Sequence, residues 1–371
     1  MDRVTGIRVS RGSSEPLYTQ IRQAVLEKIE SGEWPPHYQL PTYKGLSAEM
    51  GVSIITIQHS IGALVKEGVL YRKRGVGVFT APPQSHARTQ TIALLLPDIR
   101  HSFFSSLAYA IQTYAARHQY TTLLFSVCGA SENSVNAAKL LPRQALDGVI
   151  TSYAVTEHLP LHFSNMLKAT KPVVFVDGFS PDYDCVETDN YLGVQMALEH
   201  LIELGHRRIA FAAGQILTKG VHERIDAYRS ILRARSLPCE PPQVQISVQA
   251  DDMAGEETAH TLLSLRDVPT AVLCMNDLVA RGVMRAARER AVSCSEQLSV
   301  IGFDDLDFAR HLDPPLTTIR QPIAEIGQTA VDLLLERIDD PGGQNNRHKA
   351  LQLRPELVVR ASTGPAPPSK L

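Results

Sequence analysis

Arg72-Lys73-Arg74-Gly75-Val76-Gly77 is the stretch of this chain whose chemistry is most readily named. Guanidinium and ammonium groups attract phosphate oxygens, and glycines let a backbone come close to them. Just upstream, Ile54, Ile55, Gln58 and His59 stand near the start of a helix whose inward face is Ile57, Ile61, Leu64 and Val65. An exposed Gln can bond adenine through both ends of its amide, and an exposed Ile can lie against a thymine methyl. A second set of reactive types lies further on. His101-Ser102-Phe103-Phe104, Asp177, Asn276-Asp277 and Asp304-Asp305 each follow a short apolar run. Carboxylates there can accept hydroxyl hydrogen bonds, aromatics can stack on a ring, and an Arg can donate a fork. Each residue also has a plain structural reading, as a helix cap for Asn276 or Asp304 and as core for Phe103 or Phe104. Four polar strand ends together point to a pocket.

The elements that must carry the first set are legible. Leu17, Ile21, Val25 and Ile29 recur every four residues as one helix stripe, with start signals at Ser14 and Pro16 and stop signals at Gly32 and Pro35-Pro36. Thr42 caps a short second helix that turns Leu46 and Met50 inward, Gly51 makes a turn, and Ser53 caps the third helix. Gly68 stops it. Strands Val69-Leu70-Tyr71 and Val78-Phe79-Thr80 then flank the cations and glycines as a hairpin. Helix, turn, helix and basic hairpin place one helix in a DNA major groove and a charged finger on the flanking backbone.

Residues 81–90 are polar, proline-containing and unpatterned, and are expected to be a linker. Strand and helix patterns then alternate. Strands are expected at 91–96, 121–127, 147–151, 172–176, 208–213, 244–248, 270–275 and 298–303, with amphipathic helices such as 103–118, 192–204 and 222–235 between them. Short apolar strands separated by helices imply parallel sheet covered on both faces, and eight units exceed one compact sheet. The expected fold class is therefore α/β: a small helical DNA-binding head over residues 1–80 and two doubly wound lobes over 91–362, with a ligand cleft beyond the carboxyl ends of the strands and a disordered tail over 363–371.

The totals agree with this division. The 371 residues exceed one ordinary core. Residues 1–90 carry 11 Lys and Arg against 7 Asp and Glu, a balance of +4, while the remainder carries 26 against 32, a balance of −6. A basic head on an acidic body fits nucleic acid at one end only. Five scattered cysteines, without zinc spacing, fit reduced thiols, and no apolar run is long enough for a membrane helix. The expected location is the cytoplasm, with no metal or cofactor. Neither a G-x-S-x-G elbow nor a phosphate loop occurs, so catalysis is not expected.

PLYTQIRQAVLEKIESGEWPPHYQLPTYKGLSAEMGVS followed by ALVKEGVLYRKRGVGVF resembles the winged helix-turn-helix of the GntR family across residues 15–80. The resemblance implies a dimer on an operator, with Lys44 where the family usually has a phosphate-contacting Arg. It places Ser53, Thr56 and Gln58 on the recognition helix and Gly77 at the wing-tip glycine. The usual pattern has Arg at the positions of Ile54 and Gln58, so an unusual operator is expected. DNYLGVQMALEHLIELGHRRIAFAAG, AVLCMNDLVARGVMRAA, LSVIGFDDLDFARHLDPPLTTIRQP and LVVRAST resemble the effector domain of LacI/GalR regulators, itself similar to periplasmic sugar-binding proteins. The combination resembles the arabinose-responsive repressor group. It implies effector contacts at His101, Phe103, Phe104, Asp189, Arg224, Asn276 and Asp304, with the two Phe flanking a ring. Where many relatives have Asp-Arg after the fourth strand, this chain has Asp177-Gly178. The expected function is a ligand-controlled repressor acting as a homodimer on a palindromic operator, its ligand a small sugar or polyol. A solute-binding protein with an incidental basic head, or a regulator using its ligand as co-repressor, is the alternative.

Overall fold

The computed structural model describes residues 6–7, 9, 16–30, 32–66, 68–81, 88–127, 141, 144–152, 155, 172–178, 180, 182–214, 218–249, 251–340 and 347–368. The chain divides into two compact units, Met1–Arg88 and Thr89–Leu371. Ser14 and most of the expected linker lie outside the described residues. Thr89 and Gln90 already belong to the second unit, since the backbone N–H of each donates to the Asp147 carboxylate at 2.9 Å.

The first unit holds helices α1 (Leu17–Glu30), α2 (Tyr43–Met50) and α3 (Ile54–Lys66) and the hairpin β1 (Leu70–Lys73) and β2 (Gly77–Thr80). Ile21, Val25, Leu46, Met50, Ile57, Ile61 and Leu64 form one core with Trp34 and Leu70. The helix starts follow from their caps. Thr42 Oγ1 accepts the Gly45 N–H, and Ser53 Oγ accepts the Thr56 N–H, each at 3.1 Å. Gly51 ends α2 with φ 65°, a left-handed value that side chains resist.

The second unit contains β3 (Thr91–Leu96), α4 (Ser102–Arg117), β4 (Thr121–Ser126), β5 (Gly148–Ser152), β6 (Val173–Val176) and β7 (Asp184–Thr188). There follow α5 (Asn190–Glu203), β8 (Ile209–Ala213), α6 (Lys219–Ala234), β9 (Val244–Ile246), α7 (Asp251–Leu262), β10 (Ala271–Cys274), α8 (Asp277–Glu289) and β11 (Ser299–Asp304). The chain closes with β12 (Thr317–Arg320), α9 (Ile323–Asp339), β13 (Ala350–Leu353) and β14 (Glu356–Val358). Two six-stranded sheets result, β13-β7-β6-β5-β3-β4 and β14-β12-β11-β10-β8-β9, parallel throughout except for β14. All eight expected strands are present, with ends shifted by up to two residues. Four more were not expected: β7, β12, β13 and β14.

The chain crosses between the lobes three times, after β7, after β12 and between β13 and β14. In the first sheet the winding reverses at β3 and β5. In the second it reverses at β8 and β10. Loops leaving those strands face a crevice, which is where ligands of doubly wound sheets bind. Residues 363–366, expected to be part of a disordered tail, are instead held. The Gly364 carbonyl lies 3.0 Å from Nε2 of buried His206, and the Ala366 N–H donates to the Leu204 carbonyl at 2.8 Å.

Helices α7 and α8 meet almost backbone to backbone. A Cβ on Gly255 would stand 2.1 Å from the Val279 carbonyl oxygen, and one on Gly282 would stand 2.0 Å from that of Asp252. No side-chain rotation relieves such contacts. Gly282→Ala is therefore expected to destabilise the second unit by about 3 kcal/mol or more, lowering the melting temperature by roughly 6–12 °C in a calorimetric scan.

Candidate nucleic-acid interface and ligand cleft

The outward face of α3 is built by elimination. Once Ile57, Ile61 and Leu64 are committed to the core, Ile54, Ile55, Gln58 and His59 face solvent, Ile55 with 77% of its surface exposed. Ser53 and Thr56 are less free than expected, because their hydroxyls bond each other at 2.8 Å while Ser53 caps the helix. Lys44 is exposed on α2. No acidic residue lies in the first turn of α3.

The hairpin differs from its expected shape. Strand β1 runs on to Lys73, so Arg72 pairs with Val78 and Lys73 with Gly77, leaving Arg74-Gly75-Val76 as the turn. Successive strand residues point to opposite faces. Arg72 and Lys73 therefore do not share a face, and Arg74 alone of the three cations sits at the tip. The tip is braced by Gln39, whose Nε2 donates to the Val76 carbonyl at 3.1 Å, and Gly77 lets that side chain lie close. Tyr71 and Phe79 stack at 5.5 Å on one face of the hairpin, and the buried Thr80 hydroxyl donates to the Pro35 carbonyl at 2.6 Å. The wing is thus a fixed finger bearing its charge outward.

In the second unit, the strand ends converge on a cleft with about 580 Å³ of free space, its mouth included. His101, Phe103 and Phe104 reach it from the loop after β3 and the first turn of α4. From the other lobe come Arg224 on α6, Asn276 after β10 and Asp304 at the end of β11. Six of the seven residues expected at the effector site meet here. Asp189 does not line the cleft. Its carboxylate accepts the Leu192 N–H at 2.9 Å as the N-cap of α5, a local bond that competes with any ligand role. Phe103 and Phe104 touch each other edge to face at 5.2 Å and make one apolar wall.

Arg224 is the organising charge. It is 5% exposed; Nε donates to Asn190 Oδ1 at 2.8 Å, Nη1 donates to the Met275 carbonyl at 2.6 Å, and its guanidinium lies 3.6 Å from the Phe303 ring centre. Asn190 is set in turn by Glu223, which accepts its Nδ2–H at 3.0 Å. Four buried or half-buried carboxylates, Asp304, Asp177, Glu223 and Asp277, surround this cation without a direct hydrogen bond to it. Burial pushes the Asp177 carboxyl up to about 7, against the opposing pull of Arg224. It also raises Asp304 and, farther, Asp277, which neighbours Asp304. Asp304 holds a left-handed φ of 116°, backbone strain of the kind found at functional sites.

Several cleft residues were not identified from sequence. Thr218, Val221, Asp251, Met275 and Gln321 also line it, beside Asp177. Asp177 was visible as a polar strand end. Gln321 carried no signal, lying in an irregular crossover. It has a double role, accepting the Thr188 hydroxyl at 2.5 Å and donating to Asp304 Oδ1 at 2.6 Å. Thr188 ends β7 and Gln321 follows β12, so one amide ties two of the three crossovers to a cleft carboxylate. Asp277 lies behind the cleft, where it accepts the Leu306 N–H at 2.7 Å and the Thr318 hydroxyl at 2.5 Å.

These arrangements have counterparts among known proteins. Residues 17–80 match the family model for bacterial regulatory proteins of the gntR family, and residues 198–363 that for a periplasmic binding protein-like domain. A LacI family transcriptional regulator from Enterococcus faecium, solved with bound ribose, is 31% identical with a TM-score of 0.65, covering 74% of this chain and 99% of its own. The chain belongs to the LacI family of transcriptional regulators. Within that family, the HTH-type transcriptional regulator MalR of Streptomyces coelicolor is 30% identical over 87% of this chain and 96% of its own. The repressor CytR of Escherichia coli is 29% identical over 88% and 97%. Among solved family members, the lac repressor dimer bound to operator is 25% identical, with a TM-score of 0.65, over 75% of this chain and 95% of that one. This member carries a gntR-type head on its LacI-type body.

Proposed function

We propose that this regulator is a repressor that binds a palindromic operator as a homodimer and is released from it by a small hydroxylated ligand closing the cleft. The observation that carries the proposal is the Thr188–Gln321–Asp304 chain, because it joins a ligand-facing carboxylate to the strands about which the lobes must turn. Ribose in the Enterococcus faecium relative and operator in the lac repressor dimer support the two halves of the reading. Lys44, Arg74, whichever of Arg72 and Lys73 faces the duplex, and the glycines at 75 and 77 serve the phosphates. Ile54, Ile55, Gln58 and His59 read bases, with Ser53 and Thr56 holding the helix start. Arg224, Asn276, Asp304, His101 and the Phe103–Phe104 wall contact the ligand. The site binds without turnover, and a bound sugar is returned unchanged. The cytoplasm is where the chain works; among the described residues no single helix is long and apolar enough to cross a membrane.

The test is a mobility-shift titration with duplexes selected from a random pool by the full chain, repeated with pentoses, including arabinose, and hexoses. Operator affinity indifferent to every sugar removes the switch. To drive release, a ligand must favour one state by several kcal/mol, so shifts of about a hundredfold or more are expected. The same duplexes report on Ile55. Replacing the contacted thymine by deoxyuracil removes one methyl and is expected to cost about fourfold in affinity, a difference absent in Ile55→Ala.

A further inference from the structure

We infer that a second cavity of the larger unit, separate from the cleft, takes a small primary ammonium ion between Glu187 and Glu223. It holds about 660 Å³ of free space, its mouth included. Glu187 on β7 and Gln352 on β13 line it from one lobe, Lys219 and Glu223 on α6 from the other. Helical spacing divides α6 between the two spaces: Thr218, Val221 and Arg224 line the cleft, Lys219 and Glu223 this cavity. Glu187 is 3% exposed. Its Oε1 accepts Gln352 Nε2–H at 3.2 Å, while Oε2 is buried with no hydrogen-bond partner among the described residues. A buried carboxylate oxygen is costly when nothing donates to it. Glu223 gives Oε2 to Asn190 and brings a second carboxylate to the same space. Among the described lining residues Lys219 is the single cation against these two.

An ammonium group carries its charge and three donors on one compact centre, so it can serve carboxylates on both lobes together. A metal ion fits less well. Among the described residues no three His, Cys, Asp or Glu side chains converge to hold one, and hard cations take about six oxygens. A proton competes for the same place. Burial first, then Glu223, raises the Glu187 carboxyl above the ordinary glutamate range; Asp189 adds to this, and Gln352 and Lys219 oppose it. The ammonium therefore displaces a proton from Glu187, and its affinity rises with pH as that carboxyl ionises. The cavity also reaches the cleft through one amide. Asn190 donates Nδ2–H to Glu223 and accepts Arg224 Nε–H on Oδ1. An occupant on Glu223 thus acts on the hold over Arg224, and its effect on a sugar rests on the cleft being the ligand site.

The experiment titrates the full chain calorimetrically with methylammonium and with the diamine putrescine. Potassium and tetramethylammonium, cations without N–H groups, are the controls at matched ionic strength. The amines are expected to bind and the controls to be weaker by about tenfold or more, the worth of a charged hydrogen bond. Buffers of different ionisation heat should show a proton released on binding. Glu187→Gln keeps the shape and is expected to lower amine affinity about tenfold or more and to abolish the proton release. Glu223→Gln, on a half-buried residue of the other lobe, repeats the test without disturbing the buried strand. No amine binding, controls that bind as tightly, or affinity unchanged in both variants overturns the inference. With putrescine bound, sugar affinity is expected to shift about fivefold or more, and an unmoved affinity overturns the link through Asn190. Operator binding is followed in parallel. Amine binding in a chain whose operator affinity no sugar moves leaves the second site standing and sinks the switch. A working switch without amine binding does the reverse.

Discussion

Arg224→Met is expected to lower ligand affinity by about a hundredfold or more while leaving ligand-free operator affinity within about threefold, since truncating one partner of a buried, charged hydrogen-bond set costs 2–5 kcal/mol. Met retains length and can still lie over the Phe303 ring, where the guanidinium now sits at 3.6 Å. It cannot donate to Asn190, to the Met275 carbonyl or to a ligand. Arg224→Lys tests the fork separately from the charge. An ammonium cannot span Asn190 and Met275 as a planar guanidinium does, so most of the loss is expected to persist. Calorimetric titration beside a mobility shift separates the outcomes. A variant that keeps its sugar response while folding normally would remove Arg224 from the ligand site.

Replacing Arg72, Lys73 and Arg74 together by Ala is the second large effect expected. Binding should weaken by a similar factor for every duplex sequence, because these groups face phosphates and not base edges. The wing geometry sharpens the size. Arg72 and Lys73 occupy adjacent positions on β1 and point to opposite faces, so they do not both meet one stretch of backbone. The slope of log affinity against log salt should therefore fall by about two per head and not three, measured between about 50 and about 200 mM salt. Among single changes Arg74→Ala should cost most. A triple variant that loses affinity for one sequence but not for others would show that the wing reads bases.

How far the sequence was legible depends on where satisfaction of each residue comes from. The head read well because its signals are local: Thr42 and Ser53 cap the helices they precede, and the apolar stripe of α3 leaves Ile55 outside. The hydrophobic strands read well for the same reason. Strand β7 did not, since Asp184 and Glu187 break its apolar run. Their burial is made tolerable from far along the chain, Asp184 by Arg337 at 2.6 Å and the Lys349 N–H at 2.7 Å, and Glu187 by Gln352 at 3.2 Å. No window of neighbouring residues contains that information. The cleft showed the same division. Arg224, Asn276 and Asp304 were placed by resemblance and strand ends, whereas Gln321 takes its meaning from Thr188 and Asp304, neither of them near it in sequence. Asp189 rested on the resemblance alone; its carboxylate caps α5 and does not line the cleft.

The bond pair at Gln321 has a consequence for how such a switch can vary. The amide that presents Asp304 to the cleft is the amide that clasps two crossovers, so dose threshold and leakiness share one lever. A substitution there that makes the regulator respond to less ligand also changes how firmly it shuts its promoter when none is present. Tuning one without the other has to come from elsewhere, through the Phe103–Phe104 wall for the ligand or the wing for the promoter.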